Sequence, residues 1–235
     1  MEKIRNKLGF RQSIVVASAG ASGGLCLLWT EEVNIRALSF SPHHIDVEVQ
    51  VLGVHGKWRL TGFYGHPVTA ERHKSWELLS RLGSASSLPW VCIGDFNEIL
   101  AAHEKLGGAV RNERQMQNFR QAIDSCGLKD LGYRGPKFTW WRNGPEDIRV
   151  RLDRGLATWE WCTLFPQAKI QKTRAQLGAL LNCPCSTQTV EERKRLTAHL
   201  DSLLIKDELF WRQRSRAIWL KAGDNNSNAA WRILW

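Results

Sequence analysis

Three short stretches of this chain combine groups that could work on a phosphate ester. The first is Ile93-Gly94-Asp95-Phe96-Asn97-Glu98, where an apolar run ends in a carboxylate and an amide. Alternation along an extended chain would put Asp95 and Asn97 on one side. A carboxylate there can hold a divalent cation or take a proton from water, and the amide can hold a phosphate oxygen or the nucleophile. The plainer reading is an Asx turn that closes a strand. The second stretch is Phe63-Tyr64-Gly65-His66-Pro67, again at a strand end. A Tyr64 hydroxyl in that place could donate to charge developing on a phosphorus-bound oxygen, or the ring could simply line a turn. The third is Arg151-Leu152-Asp153-Arg154, in which Asp153 either orients an imidazole or joins an ion pair with its neighbours.

The other metal-binding and nucleophilic residue types offer less. His43-His44 reads as loop ahead of a strand, and His73 and His103 as surface or turn residues. His66 follows Tyr64 closely enough to approach a site there. His199 falls beside Leu196 and Leu200 on a helical stripe, which suits a structural role. Cys26 and Cys92 sit inside apolar runs and read as buried free thiols. Cys183-Pro184-Cys185 is too short a spacing for paired zinc ligands and has no second pair, so no zinc site is expected.

Strands are expected at 13–17, 25–29, 45–51, 58–64, 90–94, 138–141 and 148–152, from apolar runs, period-two alternation and flanking turn residues. Helices are expected over 69–82 and over 115–126, the latter stopped at Gly127. Hairpin-linked strands with two helices between them predict an α+β fold, a sandwich of packed, mainly antiparallel sheets. The pattern changes near residue 175. An irregular junction over 172–188 precedes Thr189, which can cap a helix with Glu192 as reciprocal partner. Leu196, Leu200, Leu203 and Leu204 continue that helix as an apolar stripe, towards Lys221 and a stop at Gly223. Arg212, Arg214, Arg216 and Lys221 make its polar side a candidate nucleic-acid contact.

Composition narrows the partners. The 235 residues carry a formal net charge of +10, with 43% hydrophobic and 24% charged residues. That excludes global disorder and makes a polyanion, DNA or RNA, the first partner to consider. No apolar run reaches the ~20 residues of a membrane span, and the start lacks the apolar stretch of a signal peptide, so no membrane association and an intracellular location are expected.

Tyr64 with Pro67, Gly94-Asp95-Phe96-Asn97 and Arg151-Leu152-Asp153, in this order and each at a strand end, resemble the endonuclease/exonuclease/phosphatase family. Ser22-Gly23-Gly24-Leu25-Cys26-Leu27-Leu28-Trp29, Glu104-Lys105-Leu106-Gly107-Gly108, Cys126-Gly127-Leu128-Lys129-Asp130-Leu131-Gly132-Tyr133 and Phe138-Thr139-Trp140 are similar to the endonucleases of plant LINE-type retrotransposons. Phe210-Trp211-Arg212-Gln213-Arg214-Ser215-Arg216 and Trp219-Leu220-Lys221-Ala222-Gly223-Asp224 resemble the linker before reverse transcriptase in the same polyproteins. The resemblance implies a four-layered α/β sandwich over residues 1–171 and a helical linker over 189–235. It also implies Mg²⁺-dependent phosphodiester hydrolysis of DNA, and action in the nucleus. Asp95 would then activate water and contact the metal, Asn97 would position water and phosphate, Tyr64 would lie at the scissile phosphate, and Asp153 would orient a histidine.

Two family features have no match. The family's opening strands, one with an Asn and one ending in a metal-binding Glu, are not found, and Met1 to Phe10 resemble the helix that follows that Glu. The closing Ser-Asp-His is not found after Asp153. The expectation is therefore an incomplete sandwich whose hydrolytic rate is lowered by orders of magnitude, or a basic nucleic-acid-binding remnant without catalysis.

Overall fold

The computed structural model describes residues 10–18, 24–51, 56–134, 137–142, 146–166, 168, 170–171 and 231–234. The strands are β1 (Gln12–Val16), β2 (Leu25–Trp29), β3 (Val33–Ser41), β4 (His44–Val51), β5 (Trp58–Tyr64), β6 (Trp90–Asp95), β7 (Lys105–Leu106), β8 (Leu128–Asp130), β9 (Tyr133–Arg134), β10 (Trp140–Arg142), β11 (Ile148–Val150), β12 (Asp153–Thr158), β13 (Ile170–Gln171) and β14 (Trp231–Leu234). The helices are α1 (Arg72–Ser84), α2 (Glu113–Ser125) and α3 (Trp159–Leu164), and a short 3₁₀ turn, Thr69–Glu71, leads into α1.

The central element is a six-stranded sheet in the order β3-β4-β5-β6-β12-β8. Its pairs are antiparallel except β5 with β6, which run parallel. A parallel pair needs a crossover, and α1 supplies it. On one face of this sheet lies a smaller sheet, β1-β2-β14. The core between them joins Leu25, Leu27 and Trp29 of β2 to Val47, Val49, Trp58, Leu60, Val91 and Ala157. The opposite face carries Phe63, Trp90, Cys92 and Leu156, and it packs on Trp76, Leu79 and Leu82 of α1 and on Phe119 and Ile123 of α2. Neighbours along β6 alternate between these two cores, as period-two geometry requires. The fold is thus α+β with packed, mainly antiparallel sheets, as the patterning predicts.

Asn112 caps α2 by accepting from Arg114 N at 2.9 Å, and Gly127 follows the helix at φ +63°. Under α1, Arg59 of β5 is 1% exposed and Asp46 of β4 is 2% exposed. The Asp46 carboxylate accepts from Arg59 Nε and Nη2, both at 2.8 Å, and from Thr61 Oγ1 at 2.7 Å. Arg59 Nη1 also donates to Leu82 O at 2.6 Å, which ties the end of α1 to the sheet.

The expected strand over 148–152 is two elements. β11 ends at Val150 in a three-stranded sheet ordered β10-β11-β7, and β12 opens at Asp153 in the central sheet. Between them Arg151 N donates to Glu104 O, and Leu152 O accepts from Phe96 N, so the chain stays extended while it changes sheets. β3, β7, β8, β9, β12, β13, β14 and α3 add to the expected elements, and β14, paired with β2, is a strand within the segment 189–235 expected to be helical. The junction at 172–188 and the helix expected from Thr189 to Lys221 lie outside the described residues.

Candidate active site

Strand register assembles the site. Tyr64 pairs with Asp95 across β5 and β6, and Asp95 pairs with Asp153 across β6 and β12. Paired residues share a face, so Tyr64, Asp95 and Asp153 form one row across three adjacent strands. Counting in twos back from Asp95 reaches Ile93 and Val91, and forward from Asp153 reaches Ala157, all on the side covered by β2. The row therefore lies where the core between the two sheets comes to its end.

Two glycines let the backbones close around it. A Cβ on Gly94 would stand 1.8 Å from Phe63 O, and one on Gly65 would stand 2.3 Å from Phe96 O. Gly65 N donates to Asp95 O at 2.7 Å, which extends the β5–β6 ladder past the strand end.

Asn97 reaches the site by a different route from the one expected. β6 stops at Asp95, and Asn97 adopts φ +54°, so simple alternation does not apply. Its backbone N donates to Asp95 Oδ1 at 2.8 Å, an Asx turn that fixes the carboxyl. Asn97 Nδ2 donates to Gly65 O at 2.8 Å, which uses one of its two amide hydrogens. The turn and the site are the same structure.

The Asp95 carboxyl is pushed up to about 7, first by burial and then by the like charge of Asp153. The hydrogen bond from Asn97 N and the positive charge of Arg72 act the other way. Asp153 is held from its backbone: Thr139 Oγ1 accepts from Leu152 N at 2.9 Å and from Asp153 N at 3.1 Å. Thr139 was visible in the Phe138-Thr139-Trp140 stretch, but nothing in its local sequence pointed to Asp153.

The arginines beside Asp153 serve another network. Arg151 Nη1 donates to Glu104 Oε1 at 2.7 Å, and its Nη2 donates to both Asp130 oxygens at 2.9 Å. Arg154 Nη1 donates to Glu104 Oε1 at 3.0 Å and to Asp130 Oδ2 at 2.9 Å, and Arg154 Nη2 also pairs with Glu104. Burial raises the Glu104 carboxyl, but these arginines and the bond from Leu100 N outweigh it and the net shift is downward. Glu98 is fully buried and pairs with Arg72 at 2.7 Å and Arg111 at 3.0 Å. Both glutamates near the row are thus structural ion-pair partners.

Among the described residues, no group of three His, Cys, Asp or Glu forms a metal cluster. The row supplies two carboxyls, Asp95 and Asp153, whose mutual repulsion a hard cation would relieve. Magnesium is commonly held by one or two carboxylates together with substrate phosphate, and this donor set fits that pattern.

No family model matches the chain, and no curated protein matches it. Solved structures similar to it include the endonuclease domain of TRAS1, a telomere-specific non-LTR retrotransposon, at 14% identity and TM-score 0.46, covering 64% of this chain and 69% of that one. An endonuclease/exonuclease/phosphatase family protein from Bacteroides thetaiotaomicron matches at 14% identity and TM-score 0.44, covering 67% of this chain and 64% of its own. A mannosyl-6-phosphatase from the same organism matches at 14% identity and TM-score 0.46, covering 67% and 66%.

Arg212, Arg214, Arg216, Lys221 and His199 lie outside the described residues, as do Cys183 and Cys185. Cys26 and Cys92 are buried free thiols, as expected. Among the described residues no helix is long and apolar enough to cross a membrane.

Proposed function

We propose that the row is the water-activating half of a phosphodiesterase site of the endonuclease/exonuclease/phosphatase kind, directed at nucleic acid. The observation that carries this reading is the register Tyr64–Asp95–Asp153 with Asn97 folded back onto Asp95. A carboxyl raised to about 7 is ionised in part at neutral pH and is basic enough to take a proton from an attacking water. The second Asn97 amide hydrogen can hold a phosphate oxygen or the water. The Tyr64 hydroxyl, one strand away, can donate to charge that builds on the phosphate. Asp153 keeps Asp95 basic by its charge. Mg²⁺, held by Asp95 and Asp153, would neutralise the phosphate oxygens and cancel the repulsion that raises Asp95, so with the metal bound Asp95 would orient the water and the metal would make that water easier to deprotonate.

The family's closing Ser-Asp-His has no sequence match after Asp153, so turnover lowered by orders of magnitude relative to a site with that histidine is part of this reading. The assay is nicking of supercoiled plasmid with Mg²⁺, beside an Asp95→Asn preparation. Slow nicking that disappears in the variant supports the site. Equal background in both removes hydrolysis from the reading.

The net charge of +10 favours a second reading, nucleic-acid binding without catalysis. Its mark is a steep fall of affinity with salt that Asp95→Asn leaves unchanged. Salt-insensitive binding would dispose of it.

A further inference from the structure

A pair of histidines extends the row on the side away from Asp153. β4 and β5 pair with His44 opposite Phe63, and Tyr64 N donates to His43 O at 2.8 Å, which carries the register on to His43 and Tyr64. His43, Tyr64, Asp95 and Asp153 therefore follow one another across four neighbouring segments. At about 4.8 Å per strand, His43 stands roughly 10 Å along the row from Asp95. At about 3.4 Å rise per nucleotide, that distance is the reach of about three nucleotides.

The chemistry of the pair is specific. His43 Nδ1 lies 2.9 Å from Tyr64 O. A carbonyl oxygen only accepts, so Nδ1 carries the hydrogen and the neutral ring presents Nε2 as its free nitrogen. The His43 ring lies 10° from parallel to the Tyr64 ring at 6.0 Å, and it stacks on the His66 ring at 4.6 Å and 23°. His66 is anchored by its backbone N, which donates to Ser75 Oγ at 2.8 Å, while its Nδ1 is buried with no hydrogen-bond partner. The adjacent His44 differs: its two ring nitrogens lie 2.9 Å from Ser39 Oγ and 2.8 Å from Ser41 Oγ, so it is a structural residue of the hairpin.

We propose that the stacked His43–His66 pair is a second contact for the nucleic-acid strand, taking the oxygens of a phosphate within a few nucleotides of the one over Tyr64 and Asp95. The proposal rests on the phosphodiesterase reading for the identity of the anion. With Nδ1–H held by the Tyr64 carbonyl, Nε2 of the neutral His43 ring is an acceptor, and it becomes a donor to a phosphate oxygen when the ring takes up a proton, so binding of the anion and protonation of the stacked pair go together. The charges around the pair are Glu71 and Lys74, which pair with each other, together with His73 and, along the row, Asp95. Burial and His43 hold His66 below the usual imidazole range, so an anion bound there would reverse that direction.

The test is long-range ¹H–¹⁵N NMR of the histidine rings in the full chain between pH 5 and 8, with dimethyl phosphate and then inorganic phosphate as probes. The expected result is His43 with hydrogen on Nδ1, and titration midpoints of His43 and His66 that rise by about half a unit or more with either probe while exposed His73 stays still. His43→Gln and His66→Gln should each weaken binding of a short single-stranded oligodeoxynucleotide at pH 6 about fivefold or more, and His73→Gln should leave it unchanged. Midpoints that ignore both probes, or a His73 shift equal to theirs, would overturn the proposal. Asp95-dependent nicking without any imidazole response leaves the hydrolase reading standing and removes this one. A response in a chain without such nicking does the reverse.

Discussion

Asp95 should destabilise the folded chain, and replacing it should reveal by how much. Its carboxyl rises from 3.8 to about 7 in the fold because burial and Asp153 both oppose its charge. In the unfolded chain it ionises near its ordinary value. Between about pH 4 and pH 7 the folded state therefore holds a proton that the unfolded state has released, and stability falls as pH rises through that window. A shift of roughly three units at about 1.4 kcal/mol each comes to about 4 kcal/mol, complete above pH 7. Asn at position 95 keeps an oxygen to accept from Asn97 N and carries no charge. Asp95→Asn should then match the parent near pH 4 and exceed it by up to about 4 kcal/mol at pH 8. Urea denaturation at half-unit pH steps reads this directly, as the difference between the two extrapolated stabilities. Mg²⁺ at pH 8 should narrow the gap, because a ligand that prefers the folded carboxylates stabilises only the parent. Parallel pH profiles for parent and variant would refute the argument, since they would mean that Asp95 is no harder to ionise in the fold than out of it.

Arg59→Met should cost about 3–5 kcal/mol in urea, because it leaves the buried Asp46 carboxylate uncompensated, and adding Asp46→Leu should recover part of that loss. Gly94→Ala should cost about 3 kcal/mol and abolish Asp95-dependent nicking, because its Cβ meets Phe63 O at 1.8 Å and forces β5 from β6. At Asn97, held at φ +54°, Ala should be about 1 kcal/mol less stable than Gly in the same assay.

Local sequence carried the element types well wherever one physical rule acted alone. Period-two alternation over Ile45–Val51 is β4, and the apolar spacing of Trp76, Leu79 and Leu82 is the buried face of α1. It failed where two rules competed. Val33–Ser41 is an edge strand with a register shift between Ala37 and Ser39, and its mostly exposed residues offered no apolar run to read. Residues 148–152 read as one strand, because extended chain reads the same whether or not it changes sheets, and the strand from Asp153 to Thr158 is not among the expected elements.

The sequence by itself determined which groups are present and that Tyr64 and Asp95 stand at strand ends, since apolar runs that stop at polar residues and turn formers are local facts, whereas Asp153 opens a strand that local pattern did not show. Only the tertiary structure decided that these ends share one row, because register depends on pairings between segments as far apart as residues 64, 95 and 153. It also decided which charges are available for chemistry. Arg151, Arg154, Glu104 and Glu98 stand in or beside the site motifs in the sequence, and long-range ion pairs occupy them. Burial depends on everything packed around a residue, so the raised carboxyl of Asp95 and the place of His43 beside Tyr64 had no signature in the local chain.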